Sequence, residues 1–275
     1  MSVRKAIARD IVISTFPSAK ELIQRLIAIG WIRRIPTESP ARGALAPLLY
    51  LADMEATKEE ALDPLELLQG YRPDGVLCYF GVLGHHGLTT QVAPFFHVAF
   101  LKESPLPLSR AAVSKPAKST GAKVKYDPLG RKVFNFEGVS CYLTKRNPAF
   151  VPGIQTRIVG SRTILRMTTI EQSLLDTLGH PLHCGGESVV FEAWERGASQ
   201  WNTDRLAEYL EEIDLPELDR RVGAMLDTLE IKADSQKLNT RLEAVRQCRA
   251  DAVELPLLRG FSYPNLNRTW NIRVP

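Results

Sequence analysis

Apolar residues recur at helical spacing near the start of the chain, at strand spacing through its middle and at helical spacing again through its last third. Over residues 18–29 (SAKELIQRLIAI), Ala19, Leu22, Ile23, Leu26 and Ile27 fall on one stripe. Ser18 with Glu21 three residues on forms a capping-box pattern, and Gly30 supplies the stop. The polar side of this helix carries Lys20, Gln24 and Arg25. WIRRIP, the loop TESPARGA and APLLYLA then predict strand, loop and strand. Residues 53–73 read as a connector punctuated by Pro64, Gly70 and Pro73, with Leu62, Leu65 and Leu68 spaced for a short helix.

From Val76 a second unit begins. A helix starting at Phe80 stops at Gly87, 92–101 (VAPFFHVAFL) predicts a buried strand, and 121–144 a hairpin turning at Asp127-Pro128-Leu129-Gly130. Ile154 to Arg166 is a further strand region. Thr168 or Thr169 can cap a helix over 170–178, since Glu171 and Gln172 stand three residues on from each. Helices follow at 187–196, 203–213, 216–230 and 236–249, the clearest stripe being Leu218, Val222, Met225, Leu226 and Leu229. The tail, with Trp270 and Ile272, ends in a strand packed back on the domain. The expected class is α+β: a winged-helix-like domain over 1–70, then a mixed β-sheet domain over 71–275 with a helical C-terminal layer.

Composition changes this picture in one respect. The net charge of +4 on 275 residues is unevenly spread. Residues 1–75 carry ten basic and ten acidic side chains, 76–170 thirteen against three, and 171–275 twelve against eighteen. A basic middle suits contact with a polyanion, because clustered Lys and Arg displace phosphate counterions; solvated edge strands would produce the same count. Lys123, Lys125, Arg131, Lys132, Lys145, Arg146, Arg157 and Arg162 are the candidates for a basic surface facing a partner or nucleic acid. Cys78, Cys141, Cys184 and Cys248 form no CxxC pair, which argues against a disulfide framework. No stretch approaches membrane-spanning length, and a reduced cytoplasm is the expected address.

Candidate chemistry is sparse. His180, His183 and Cys184 lie close enough to share a metal, but the sequence offers no further ligands at a matching spacing, and a turn after a helix accounts for them. His85 and His86 end a helix, where a histidine can interact with the C-terminal dipole. Asp227, Glu230 and Lys232 are the nearest approach to a nuclease-like metal site, and they fall at a helix end. There is no GxGxxG, no GxxxxGK[ST] and no GxSxG, so neither a catalytic residue, a metal nor a cofactor is expected.

Three segments in order carry a resemblance: KELIQRLIAIGWIRRIP, FGVLGHHGLTTQVAPFFHVA and TTIEQSLLDTLGHPLHCGG, followed by RTWNIRV near the end. Together they resemble the AbiEi antitoxins of bacterial abortive-infection (type IV toxin–antitoxin) systems. The chain differs from that family in having little helix before the first segment and in a wing loop, TESPARGA, without the Arg-Gly-Val-Tyr ending. The resemblance implies a DNA-binding transcriptional regulator that represses its operon through inverted repeats in double-stranded DNA. It also implies an antitoxin opposing a nucleotidyltransferase-like toxin without an obligatory stable complex. DNA-reading positions would be Lys20, Gln24 and Arg25 on the helix and Arg33, Arg34 and Arg42 in the wing. Two other classes stay open: a nuclease-like enzyme of a defence system, and an interaction protein using the basic middle segment.

Overall fold

The computed structural model describes residues 19–38, 49–52, 63–103, 129–159, 163–248 and 253–275. The protein is a mixed α+β fold. Helix α1 (Ala19–Ala28) is followed by strands β1 (Ile32–Ile35) and β2 (Leu49–Ala52), which pair antiparallel with Ile32 opposite Ala52. The apolar stripe read from the sequence is what holds this unit: Leu22, Leu26 and Ile32 form a small core with Ile23 and Tyr50 against it.

Strands β3 (Val76–Cys78), β4 (Phe95–Leu101), β5 (Arg131–Phe136), β6 (Val139–Arg146), β7 (Ile154–Val159) and β8 (Thr163–Thr168) form a six-stranded sheet in the order β5-β6-β4-β3-β8-β7. β4 with β6 and β3 with β8 are parallel; the other neighbours are antiparallel. Because side chains alternate along a strand, Leu77 and Val98 enter the core on one face while Cys78 and Ala99 enter that on the other. Helix α2 (Pro64–Tyr71), capped by the Asp63 carboxylate accepting from Leu65 N at 2.8 Å, covers the first face with Leu65, Leu67 and Leu68. Ile35 and Leu49 of the N-terminal hairpin join that same core, and Glu38 N donates to Val133 O at 2.7 Å. Residues 63–73, the described part of the segment expected to be a connector, thus pack on the sheet, and residue 70 lies inside α2.

The opposite face carries the helical layer. After α3 (Phe80–His85) come α4 (Ile170–Gly179), α5 (Glu187–Gly197), α6 (Thr203–Ile213), α7 (Pro216–Thr228) and α8 (Gln236–Gln247). Thr169 caps α4, its hydroxyl accepting from Gln172 N, and Asn202 and Ser235 cap α6 and α8 in the same way. A three-stranded sheet of β9 (Leu255–Pro256), β10 (Asn265–Asn267) and β11 (Ile272–Val274) closes the tail, with Trp270 buried. Trp270 lies so close to Gly223 of α7 that a Cβ there would meet its ring at 2.3 Å.

Three local expectations are corrected. The β5–β6 hairpin turns at Glu137-Gly138, whose φ values of 48° and 83° suit a two-residue type I′ turn, not at Asp127–Gly130. Asp127 and Pro128 lie outside the described residues. Ile154–Arg166 is not one strand region but the paired β7 and β8, with Ile154 opposite Thr168. The strand expected from 92 begins at Phe95, since Val92 is 91% exposed and precedes Pro94. Among the described residues no helix is long and apolar enough to cross a membrane.

Candidate functional site

Two regions can meet a ligand. The first is the N-terminal helix and hairpin. Gln24 and Arg25 are exposed on α1, and Arg25 makes a 3.6 Å ion pair with Glu21 one turn earlier. On β1 the burial pattern is buried, exposed, exposed, buried: Ile32 and Ile35 enter cores while Arg33 and Arg34 both face solvent. Neighbouring strand residues point to opposite faces, so the hairpin presents one guanidinium on each side. Lys20 belongs to α1 but its side chain lies outside the described residues, as does Arg42 altogether. Beside this surface stand Ile27, Ile29 and Trp31, between 41% and 59% exposed.

Among the described residues, the basic side chains expected in the middle segment do not come together as one surface. β5 and β7 are opposite edges of the sheet, so Arg131, Lys132 and Lys145 are four to five strand spacings, roughly 19–24 Å, from Arg157. Arg131 reaches the Tyr71 hydroxyl at 3.4 Å, and Arg157 and Lys145 are exposed. Arg146 is not a surface cation at all. Its side chain is 7% exposed and makes a bidentate pair with Asp176, which is 3% exposed. Lys123, Lys125 and Arg162 lie outside the described residues.

The Arg146–Asp176 pair anchors the second region, which sequence reasoning missed. Asp176 projects from the middle of α4, where Gln172 one turn earlier donates to it at 2.9 Å and holds the neighbouring chain through Gly153 N and Phe150 O. Burial works against the charge on Arg146, but the Asp176 carboxylate, together with Tyr79 and Cys78, outweighs it and holds the guanidinium protonated. The guanidinium lies 5.2 Å from the ring centroid of Tyr79, a cation–π contact. Tyr79 sits between β3 and α3 at φ 65°, ψ −143°, a conformation that costs a non-glycine residue about 1–3 kcal/mol. Its ring is met by His183 at 4.9 Å, His97 at 5.2 Å and His180 at 5.4 Å between centroids. Burial pushes the Tyr79 phenol well above its usual range, and the Cys78 thiol beside it to about 12. His180 is open to solvent on one side, yet desolvation of its ring followed by the Arg146 charge moves it below the usual imidazole range.

In front of this cluster lies a cavity of about 310 Å³, lined by Tyr79, Thr144, Lys145, Arg146, Asn147 and Phe150 with Gly130, His180 and His183. The other residues singled out for chemistry have structural work. Cys184 is buried and its thiol is raised well above the ordinary value by desolvation, which disfavours the thiolate a metal needs. Among the described residues no group of three or more His, Cys, Asp or Glu is arranged to hold a metal ion. His86 does not act as a cation at the helix end: it is buried, its Nε2 bonds Thr168 O at 2.8 Å, and desolvation lowers it to about 4. Gly87 at φ 70° takes the left-handed cap after it. Asp227 accepts from the Trp270 indole at 2.6 Å, and Glu230 lies in the left-handed turn after α7. No protein-family model and no curated protein matches the chain.

Proposed function

We propose that the protein is a DNA-binding transcriptional regulator of the AbiEi kind, acting by binding and not by catalysis. The observation that carries the DNA part is the simultaneous exposure of Arg33 and Arg34 on a hairpin that directly follows a helix with an exposed polar face at Gln24 and Arg25. In a winged helix such a helix enters the major groove while wing cations hold phosphates on either side. The apolar contacts of Leu22, Leu26 and Ile32 keep helix and hairpin in fixed relation, which a reading head requires. The antitoxin role, opposing a nucleotidyltransferase-like toxin in the cytoplasm without a stable complex, rests on the ordered sequence resemblance.

The six-stranded sheet with the helices packed on it then forms the effector part. The test is binding of the full chain to the DNA upstream of its own gene. Replacing Arg33 and Arg34 by alanine removes two phosphate contacts, so the slope of log affinity against log salt falls by about 1.8. An unchanged slope would sink the reading.

A further inference from the structure

The two edges of the six-stranded sheet are finished differently. β5 carries Arg131 and Lys132, is bulged between Lys132 and Phe134, and has its Val133 O taken by Glu38 N at 2.7 Å. Charge, a bulge and a covering segment are three ways of stopping a further strand from pairing. β7, the other edge, pairs with β8 over six residues without a bulge, contains no proline and has Arg157 as its one charge. Thr156, Arg157 and Ile158 stand in succession and all three are exposed, so both faces of this strand are open among the described residues. Ile158 is 74% exposed and Ile164, opposite it on β8, 60%.

The sequence of β7 selects the strand that fits it. In an edge strand every second residue turns its N–H and C=O outward, so two copies pairing antiparallel about a two-fold axis place the axis through a residue that faces its own copy. An axis at Arg157 opposes two guanidinium groups, which is unfavourable. An axis at Thr156 instead pairs all of residues 154–158 with one another: Ile154 with the partner's Ile158, Gln155 with the partner's Arg157, and Thr156 with the partner's Thr156. Gln155 donates its amide nitrogen to Thr168 O at 3.5 Å, which leaves its oxygen to accept from the incoming guanidinium. On the face shared by Ile154, Thr156 and Ile158, the partner's Ile154 then covers Ile158 on the side away from Ile164.

We propose that β7 is a self-association edge, on which a second copy of the chain adds its own β7 antiparallel about an axis at Thr156, joining two six-stranded sheets into one. The paired stretch 154–158 runs about 17 Å at about 3.4 Å per residue. This goes beyond the DNA-binding reading and does not depend on it.

Sedimentation velocity of the full chain across a concentration series, with no DNA present, tests it. The wild-type chain is expected to approach the mass of two chains as concentration rises. Thr156→Lys and Thr156→Glu each set like charges across the axis, and because Thr156 is exposed each should keep the wild-type circular dichroism while sedimenting as a single chain. Mixed in equal amounts the two variants should sediment as two chains, because lysine then faces glutamate; the rescue also shows that each variant is folded. Leu266→Lys, at an exposed position on the separate three-stranded sheet, should leave self-association unchanged. A wild-type chain that stays single at every concentration, a Thr156→Lys variant that pairs as the wild type does, a mixture no heavier than its components, or equal dissociation by Leu266→Lys would each overturn the proposal.

Discussion

Replacing Asp176 by alanine isolates the interaction on which the centre of the molecule is built. Both partners are buried, with Arg146 7% and Asp176 3% exposed, so water cannot take the carboxylate's place without opening the fold. The variant strands a guanidinium among Tyr79, Cys78 and the α4 helix and also removes one of the two acceptors of Gln172 Nε2. Removing one member of a buried pair costs about 3–5 kcal/mol, against a total stability of about 5–15 kcal/mol for a domain. Taking about 4 kcal/mol and a urea slope of about 3 kcal/mol/M, the midpoint of unfolding should fall by roughly 1.3 M. The double variant Arg146→Met with Asp176→Leu removes both charges and should recover most of that loss, because isosteric apolar pairs replace buried ion pairs at little cost. Urea titration followed by tryptophan fluorescence reads both. A loss below about 1 kcal/mol in Asp176→Ala, or a double variant as weak as the single one, would refute the reasoning.

Further outcomes follow from individual contacts. His86 has a folded-state value near 4 against 6.5 unfolded, so the unfolded chain takes up a proton first: its contribution is whole above pH 6.5 and is lost as pH falls toward 4, by about 3 kcal/mol. The groups acting on it are desolvation, Thr168 O, His85, Arg157 and Glu171, and His86→Gln, which keeps a donor toward Thr168 O, should flatten the stability profile in that window. Gly223→Ala should lower stability by about 1–3 kcal/mol, seen as a lower melting temperature, because its new Cβ meets Trp270 at 2.3 Å. Glu137→Asn should add about 0.5 kcal/mol of stability, seen as a slightly higher urea midpoint, since asparagine tolerates the φ of 48° in this turn better than glutamate.

The helical third of the fold was legible because its signals are local. Thr169 caps where the sequence offered it, and of the Leu218, Val222, Met225, Leu226 and Leu229 stripe the middle three are buried in the core while Leu218 and Leu229 pack against it. The β5–β6 turn was missed because Glu137-Gly138 interrupts an otherwise alternating run by only two residues, while Asp127–Gly130 has the stronger turn composition. Of the second candidate site, Asp176, His180 and His183 lay inside a segment already singled out, but what they contact was hidden. Arg146 is 30 residues from Asp176 and looked like one more cation in a basic stretch; only the parallel β4–β6 pairing and the seat of α4 on the sheet bring it inside. Tyr79 gave no signal, because a strained φ leaves no mark in composition.

Fluorescence anisotropy of the full chain with a duplex from upstream of its own gene, against a scrambled duplex and at two salt concentrations, tests the central claim most directly. Tighter binding to the native duplex by tenfold or more, lost in Arg33→Ala with Arg34→Ala while the melting temperature holds, is the expected result. Equal, weak binding to both duplexes, unaltered in that variant, would contradict it.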